Sequence, residues 1–130
     1  MSETEKITIN LGLVDLGQID LLVQEGFYSN RTDFIRTAIR NQLTTHAEEV
    51  RQTVARRTLV LGLEQYSRRD LESVREAGET LEIKVLGLAS IDDDVDPELA
   101  RATISSLSVL GALRASPAVK SALKDRIQTP

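Results

Sequence analysis

The feature that most constrains this chain is a short alternating segment with no obvious partner. Lys6-Ile7-Thr8-Ile9-Asn10-Leu11 alternates polar and apolar residues and is rich in β-branched side chains. That pattern predicts a half-buried strand, with Ile7, Ile9 and Leu11 on one face and Lys6, Thr8 and Asn10 on the other. The next residues have a helical pattern. Leu16, Ile19, Leu22 and Val23 recur at the spacing of one buried helix face, over about Val14 to Glu25, and Gly26 stops the helix. A second helix opens at Asn30-Arg31-Thr32-Asp33, which reads as a capping box. Its apolar face is Phe34, Ile35, Ala38, Ile39 and Leu43, and it can run on past His46 towards Val54.

One strand and two helices cannot stand alone. A lone strand leaves backbone donors and acceptors unpaired, and a module of this size buries too little surface. The strand requires a partner strand, and a second copy of the chain is the obvious source.

The rest of the chain reads as a second module, residues 57–130. Thr58–Tyr66 predicts a strand, Ser67-Arg68-Arg69-Asp70 a capped helix to about Ala77, and Thr80–Ile91 a second strand. Asp96-Pro97-Glu98 starts a helix expected to reach Leu113, and Ser116-Pro117 a shorter one to about Ile127. Val60-Leu61-Gly62-Leu63 recurs as Val85-Leu86-Gly87-Leu88, which predicts a strand–helix–strand unit with parallel strands. Two strands make a poor sheet, so this module too is expected to pair with another copy.

Composition narrows the function classes. Of 130 residues 41% are hydrophobic and 28% charged, enough to fold. With no Cys and one His, disulfides, thiolate metal sites and multi-histidine sites within the chain are excluded. The acidic run Asp92-Asp93-Asp94-Val95-Asp96 lacks the Gly and the downstream Glu of a calcium loop and reads as helix capping. No catalytic constellation and no phosphate-binding Gly loop stands out, so an enzyme is not expected, nor a cofactor, nor a metal. Apolar runs such as Leu59–Leu63 are far shorter than the roughly 20 residues of a membrane span. The acidic N-terminus is unlike a signal peptide, and a cytoplasmic location is expected.

The N-terminal pattern, from Lys6–Leu11 through the first helix to Glu25-Gly26-Phe27-Tyr28-Ser29-Asn30-Arg31-Thr32-Asp33-Phe34-Ile35-Arg36, closely resembles the ribbon-helix-helix (CopG-like) family of bacterial DNA-binding regulators. The resemblance covers about residues 5–45. It implies an α+β chain: an intertwined strand-helix-helix dimer in residues 1–50, followed by a small α/β domain with two strands and about three helices in 57–130. It also implies a dimeric β-ribbon that enters the DNA major groove, with Lys6, Thr8 and Asn10 contacting bases. Their chemistry suits this, since Lys donates to guanine, Asn pairs with adenine and Thr offers a hydroxyl or a methyl. Ser29, Asn30, Arg31 and Thr32 would contact phosphate at a helix N-terminus. Ile7, Ile9, Leu11, Phe34, Ile35, Ala38 and Ile39 would form the dimer core.

The implied function is a transcriptional regulator, in the first instance a repressor of a palindromic or repeated operator. Its partners would be double-stranded DNA and a second copy, with residues 57–130 joining dimers into a tetramer or sensing an effector. An alternative is an antitoxin that holds a toxin through its C-terminal region and autoregulates its operon. A DNA-coating or plasmid-maintenance role is a further alternative. The module is not basic: residues 1–57 carry seven Lys and Arg against eight Asp and Glu, so any attraction to DNA must come from local clustering.

Overall fold

The computed structural model describes residues 4–128. Backbone contacts divide the chain into two compact units that meet between Thr53 and Val54.

In the first unit, residues 4–12 lie outside any helix or sheet. The expected strand at Lys6–Leu11 is thus not formed in the single chain, because a β-ladder needs a second strand and the unit has no other. Helix α1 spans Leu13–Gln24 and α2 spans Arg31–Thr45, each starting within a residue of expectation. The second helix does not run through to Val54. It ends with His46 as C-cap, and a separate α3 covers Ala47–Arg56. Tyr28 and Phe34 meet edge to face, with ring centroids 5.0 Å apart, and brace the turn that joins α1 to α2.

The second unit is a four-stranded parallel sheet in the order β1-β2-β3-β4: Val60–Tyr66, Leu81–Ile91, Ile104–Arg114 and Ile127–Gln128. Three helices connect the strands: α4 (Arg68–Glu76), α5 (Pro97–Thr103) and α6 (Pro117–Ala122), the last followed by a 3-10 turn. The expected parallel strand–helix–strand unit is present, with Val60 opposite Val85 and Tyr66 opposite Ile91.

Two expectations fail here. The helix predicted from Pro97 to Leu113 stops at Thr103, and Ile104–Arg114 is a strand. The one predicted from Ser116 to Ile127 is a single short helix, a 3-10 turn and a fourth strand. Thr103 and Ile104 are β-branched, and Ser105, Ser106 and Ser108 are weak helix formers. Leu107, Val109 and Leu113 then fall on one face at period two and join the core. Val109-Leu110-Gly111-Ala112 is a third, degenerate copy of the Val-Leu-Gly-Leu repeat, in register with the second. The module therefore does not need another copy merely to complete its sheet.

Side-chain caps set the connections. Ser67 and Asp70 bond reciprocally across the first turn of α4, at 3.1 and 3.0 Å. Asp96 accepts from the Leu99 amide at 2.7 Å, and Ser116 from that of Val119 at 3.2 Å. The acidic run therefore serves in capping through Asp96. Arg101 holds Asp125 and the Ala122 carbonyl, and Arg126 donates to the carbonyls of Arg101 and Ile104. These bonds tie the C-terminal turn to α5 and bring β4 alongside β3.

The core lies on one side of the sheet. Leu71, Leu99, Ala100, Val119 and Leu123 from the helical segments pack on Ile83, Val85, Ala89, Ile91 and Leu107 from the strands. Gly62, Gly87 and Gly111 stand in register across β1, β2 and β3, at φ +127°, +141° and +118°. A Cβ on Gly87 would fall 2.1 Å from the Gly62 carbonyl oxygen, and one on Gly111 equally close to that of Gly87. The repeat keeps its glycine because the strands meet backbone to backbone at this row.

Among the described residues, no helix is long and apolar enough to cross a membrane. No group of three or more His, Cys, Asp or Glu there could hold a metal ion.

Gly62 separates two costs at the glycine row, since it shares the backbone conformation but a Cβ there meets nothing within 4 Å. Gly62→Ala should lose roughly 1–2 kcal/mol from the positive φ alone. Gly87→Ala should lose about 1–3 kcal/mol more, because it adds the collision with a carbonyl. Urea midpoints of the two variants measure the difference. Equal losses would mean that the close approach carries no cost.

Candidate nucleic-acid interface

Two surfaces of the N-terminal unit bear on function. The first is the segment before α1. Lys6, Thr8 and Asn10 are exposed to solvent, and so are Ile7, Ile9 and Leu11. Ile7 is 75% and Ile9 57% exposed, values out of keeping with isoleucines that have reached their final environment. On α2, Phe34, Ile35 and Ala38 range from half-buried to exposed, and Ile39 is exposed. Ile19 is the only buried side chain in α1, α2 and α3. The single chain thus leaves uncovered an apolar surface drawn from the residues expected to form a dimer core.

The second surface is the start of α2. The Asn30 side chain accepts from the Asp33 amide at 2.8 Å and so caps the helix. The Asp33 carboxylate in turn accepts from the Ser29 amide at 2.9 Å, one residue earlier than a standard capping box would place the bond. The amides of Arg31 and Thr32 fall in the first turn, where helix geometry supplies no acceptor. Ser29, Asn30, Arg31 and Thr32 are therefore gathered at one helix N-terminus, an arrangement suited to an anion.

Arg31 is committed elsewhere in this state. Its guanidinium takes both carboxylate oxygens of Asp20 on α1, at 2.7 and 2.8 Å. The hydrogen bond and the charge of Arg31 hold the Asp20 carboxyl below its ordinary pKa. The pair clamps α1 to α2 and partly neutralises the arginine. The contact between Asp20 and Arg31 was not legible in the sequence: the two lie eleven positions apart in different helices, and no local spacing links them.

Arg36 and Arg40 form no ion pair among the described residues and remain solvated, as does His46 apart from a contact with Gln42.

Comparison with known proteins adds to this geometry. A protein of Methanocaldococcus jannaschii described as "Uncharacterized protein MJ1679" is 42% identical over 40 residues, which is 31% of this chain and 41% of that protein. The chain thus spans less than half the length of this curated relative. No solved structure gives a significant match. The profile of the ribbon-helix-helix transcriptional regulators matches residues 2–120, spanning both structural units. By that match the chain belongs to the ribbon-helix-helix transcriptional regulator family.

Proposed function

We propose that this chain is a dimeric, sequence-specific DNA-binding regulator, which acts in the cytoplasm by occupying a palindromic or repeated operator and repressing from it. The observation that carries this reading is the unfinished state of the N-terminal unit, where an alternating strand lacks a ladder while Ile7, Ile9, Leu11 and Ile39 stay exposed. A second copy supplies both needs at once. Its strand pairs antiparallel with Lys6–Leu11, and its helices cover the isoleucines. Pairing turns Lys6, Thr8 and Asn10 to the outer face of a two-stranded ribbon, of a width that the major groove admits. The α2 N-terminus then takes a backbone phosphate, positioning the ribbon without reading sequence.

Residues 60–128 carry their own core and capped helices. That favours a folded accessory domain over a segment that orders only on a toxin.

Selection of duplex DNA from a random pool tests the reading at the ribbon. The wild type should enrich a repeated or palindromic site at physiological salt. Lys6→Ala and Asn10→Ala should each weaken that site about 5- to 150-fold, the worth of one good base contact, and leave the dimer intact. Wild-type affinity in both variants would sink the ribbon assignment.

The core is tested separately. Ile9→Asp places a carboxylate where apolar burial is required and should give a monomer or an unfolded chain by sedimentation. A stable dimer would mean that the strand presents its other face.

Asp20→Asn tests the helix N-terminus. It weakens the hold on Arg31, so binding should tighten at low salt, and the slope of log affinity against log salt should steepen by up to about 0.9, one phosphate contact. An unchanged slope would remove Arg31 from the phosphate-contacting set.

A further inference from the structure

The helices of the C-terminal unit cover one face of its parallel sheet, and the other is buried only at Leu88 and Ser90 of the central strand. The helices lie against the side that carries Val85, Ala89 and Ile91. The register puts Leu61, Leu86 and Leu110 in one row on the other side, and Leu63, Leu88 and Ala112 in the next. Leu61 is 71% and Leu63 50% exposed, Leu86, Leu110 and Ala112 are half-covered by their neighbours, and Leu88 alone of the six is already buried. No charged side chain falls in these rows. Sheets made wholly of parallel strands almost always have both faces buried, so this one lacks a layer.

We infer that the missing layer is the same leucine face of a second copy, delivered by the partner that the N-terminal unit already holds; this rests on the dimer proposed above. Size argues for a tethered occupant. Three strands about 4.8 Å apart and seven residues of about 3.3 Å span a patch on the order of 300 Å², well below the ~800 Å² per partner of a free-standing interface. Two such faces would separate if they were independent. Covalent linkage to a dimerised N-terminal unit raises their mutual concentration to about the millimolar range, where a small apolar contact suffices.

The rim argues for self-pairing. Lys84 and Arg57 lie with Glu82 at one end of the strands, and Arg114 lies with Asp92, which accepts from Gln65, at the other. Mixed signs at both ends let a copy dock without like-charge repulsion, whereas nucleic acid would meet a centre with no cation. A two-fold axis lying in the plane between the faces sets the central β2 against its mate, with Leu86 close to its own counterpart.

The chain has no cysteine, so single replacements report cleanly. Full-length Leu86→Cys should form a disulfide-linked dimer under mild oxidation, at a rate independent of chain concentration. Full-length Glu76→Cys, on α4 across the sheet, should do so about tenfold more slowly, since it shares the tether but not the contact. Adding Leu61→Asp to Leu86→Cys should bring the rate down to that of Glu76→Cys and leave unfolding cooperative, because Leu61 is exposed within one chain.

A protein that sediments as a dimer, yet crosslinks no faster in the Leu86→Cys variant than in Glu76→Cys, overturns the face pairing and leaves the DNA-binding reading standing. A rate proportional to concentration, with tetramers in sedimentation, overturns the tethered arrangement in favour of contact between dimers. A monomer overturns both readings.

Discussion

Backbone hydrogen bonding must be satisfied, and the N-terminal unit cannot satisfy it alone. The segment before α1 has donors and acceptors but no neighbouring strand among the described residues, and the unit's helices bury one side chain, Ile19. Fold and function are therefore linked through association. On the proposed reading, the step that completes the ladder would also hide Ile7 and Ile9 and turn Lys6, Thr8 and Asn10 outwards. On the same reading, a mutation in the core would act on recognition through assembly, and one on the outer face on recognition alone.

The ion pair between Asp20 and Arg31 links the two helices. It joins α1 to the first turn of α2 across a solvent-exposed contact. The same carboxylate competes with any phosphate for the arginine. Because Arg31 keeps the Asp20 carboxyl below its ordinary range, the pair persists at neutral pH and loosens only as the pH falls through that lowered value.

The two helices of the N-terminal unit were legible because their signals are local, the Asn30 cap and the helical spacing in α1 and α2, whereas the alternation at Lys6–Leu11 predicts a strand that the single chain does not form. The break at His46 was not legible, since the residues around it all tolerate a helix. In the C-terminal unit the caps at Ser67, Asp96 and Ser116 were legible for the same reason. The stretch from Ile104 to Arg114 misleads when read alone, as the three-residue spacing of Ile104, Leu107 and Leu110 suits a helix while Leu107 and Val109 alternate as in a strand. What decides it is β2, which lies alongside and offers a ladder to a segment poor in helix formers. The helix caps reveal where elements begin, and long-range pairing determines where α5 ends. The Arg31–Asp20 contact and the bare leucine face were invisible because each depends on residues brought together from separate elements.

The strand order of the sheet follows the order of the chain, and each strand lies beside the one made just before it. Its pairings therefore close short loops, and the entropic cost of each is met before the next begins. Such a unit can assemble in the direction of synthesis, with β1 and β2 paired around α4 while β4 is still unmade. The leucine face would then emerge strand by strand on a chain whose N-terminal unit has already left the ribosome. If the face pairs as proposed, that order would favour finding the partner early, before a full apolar surface is on show in the crowded cell.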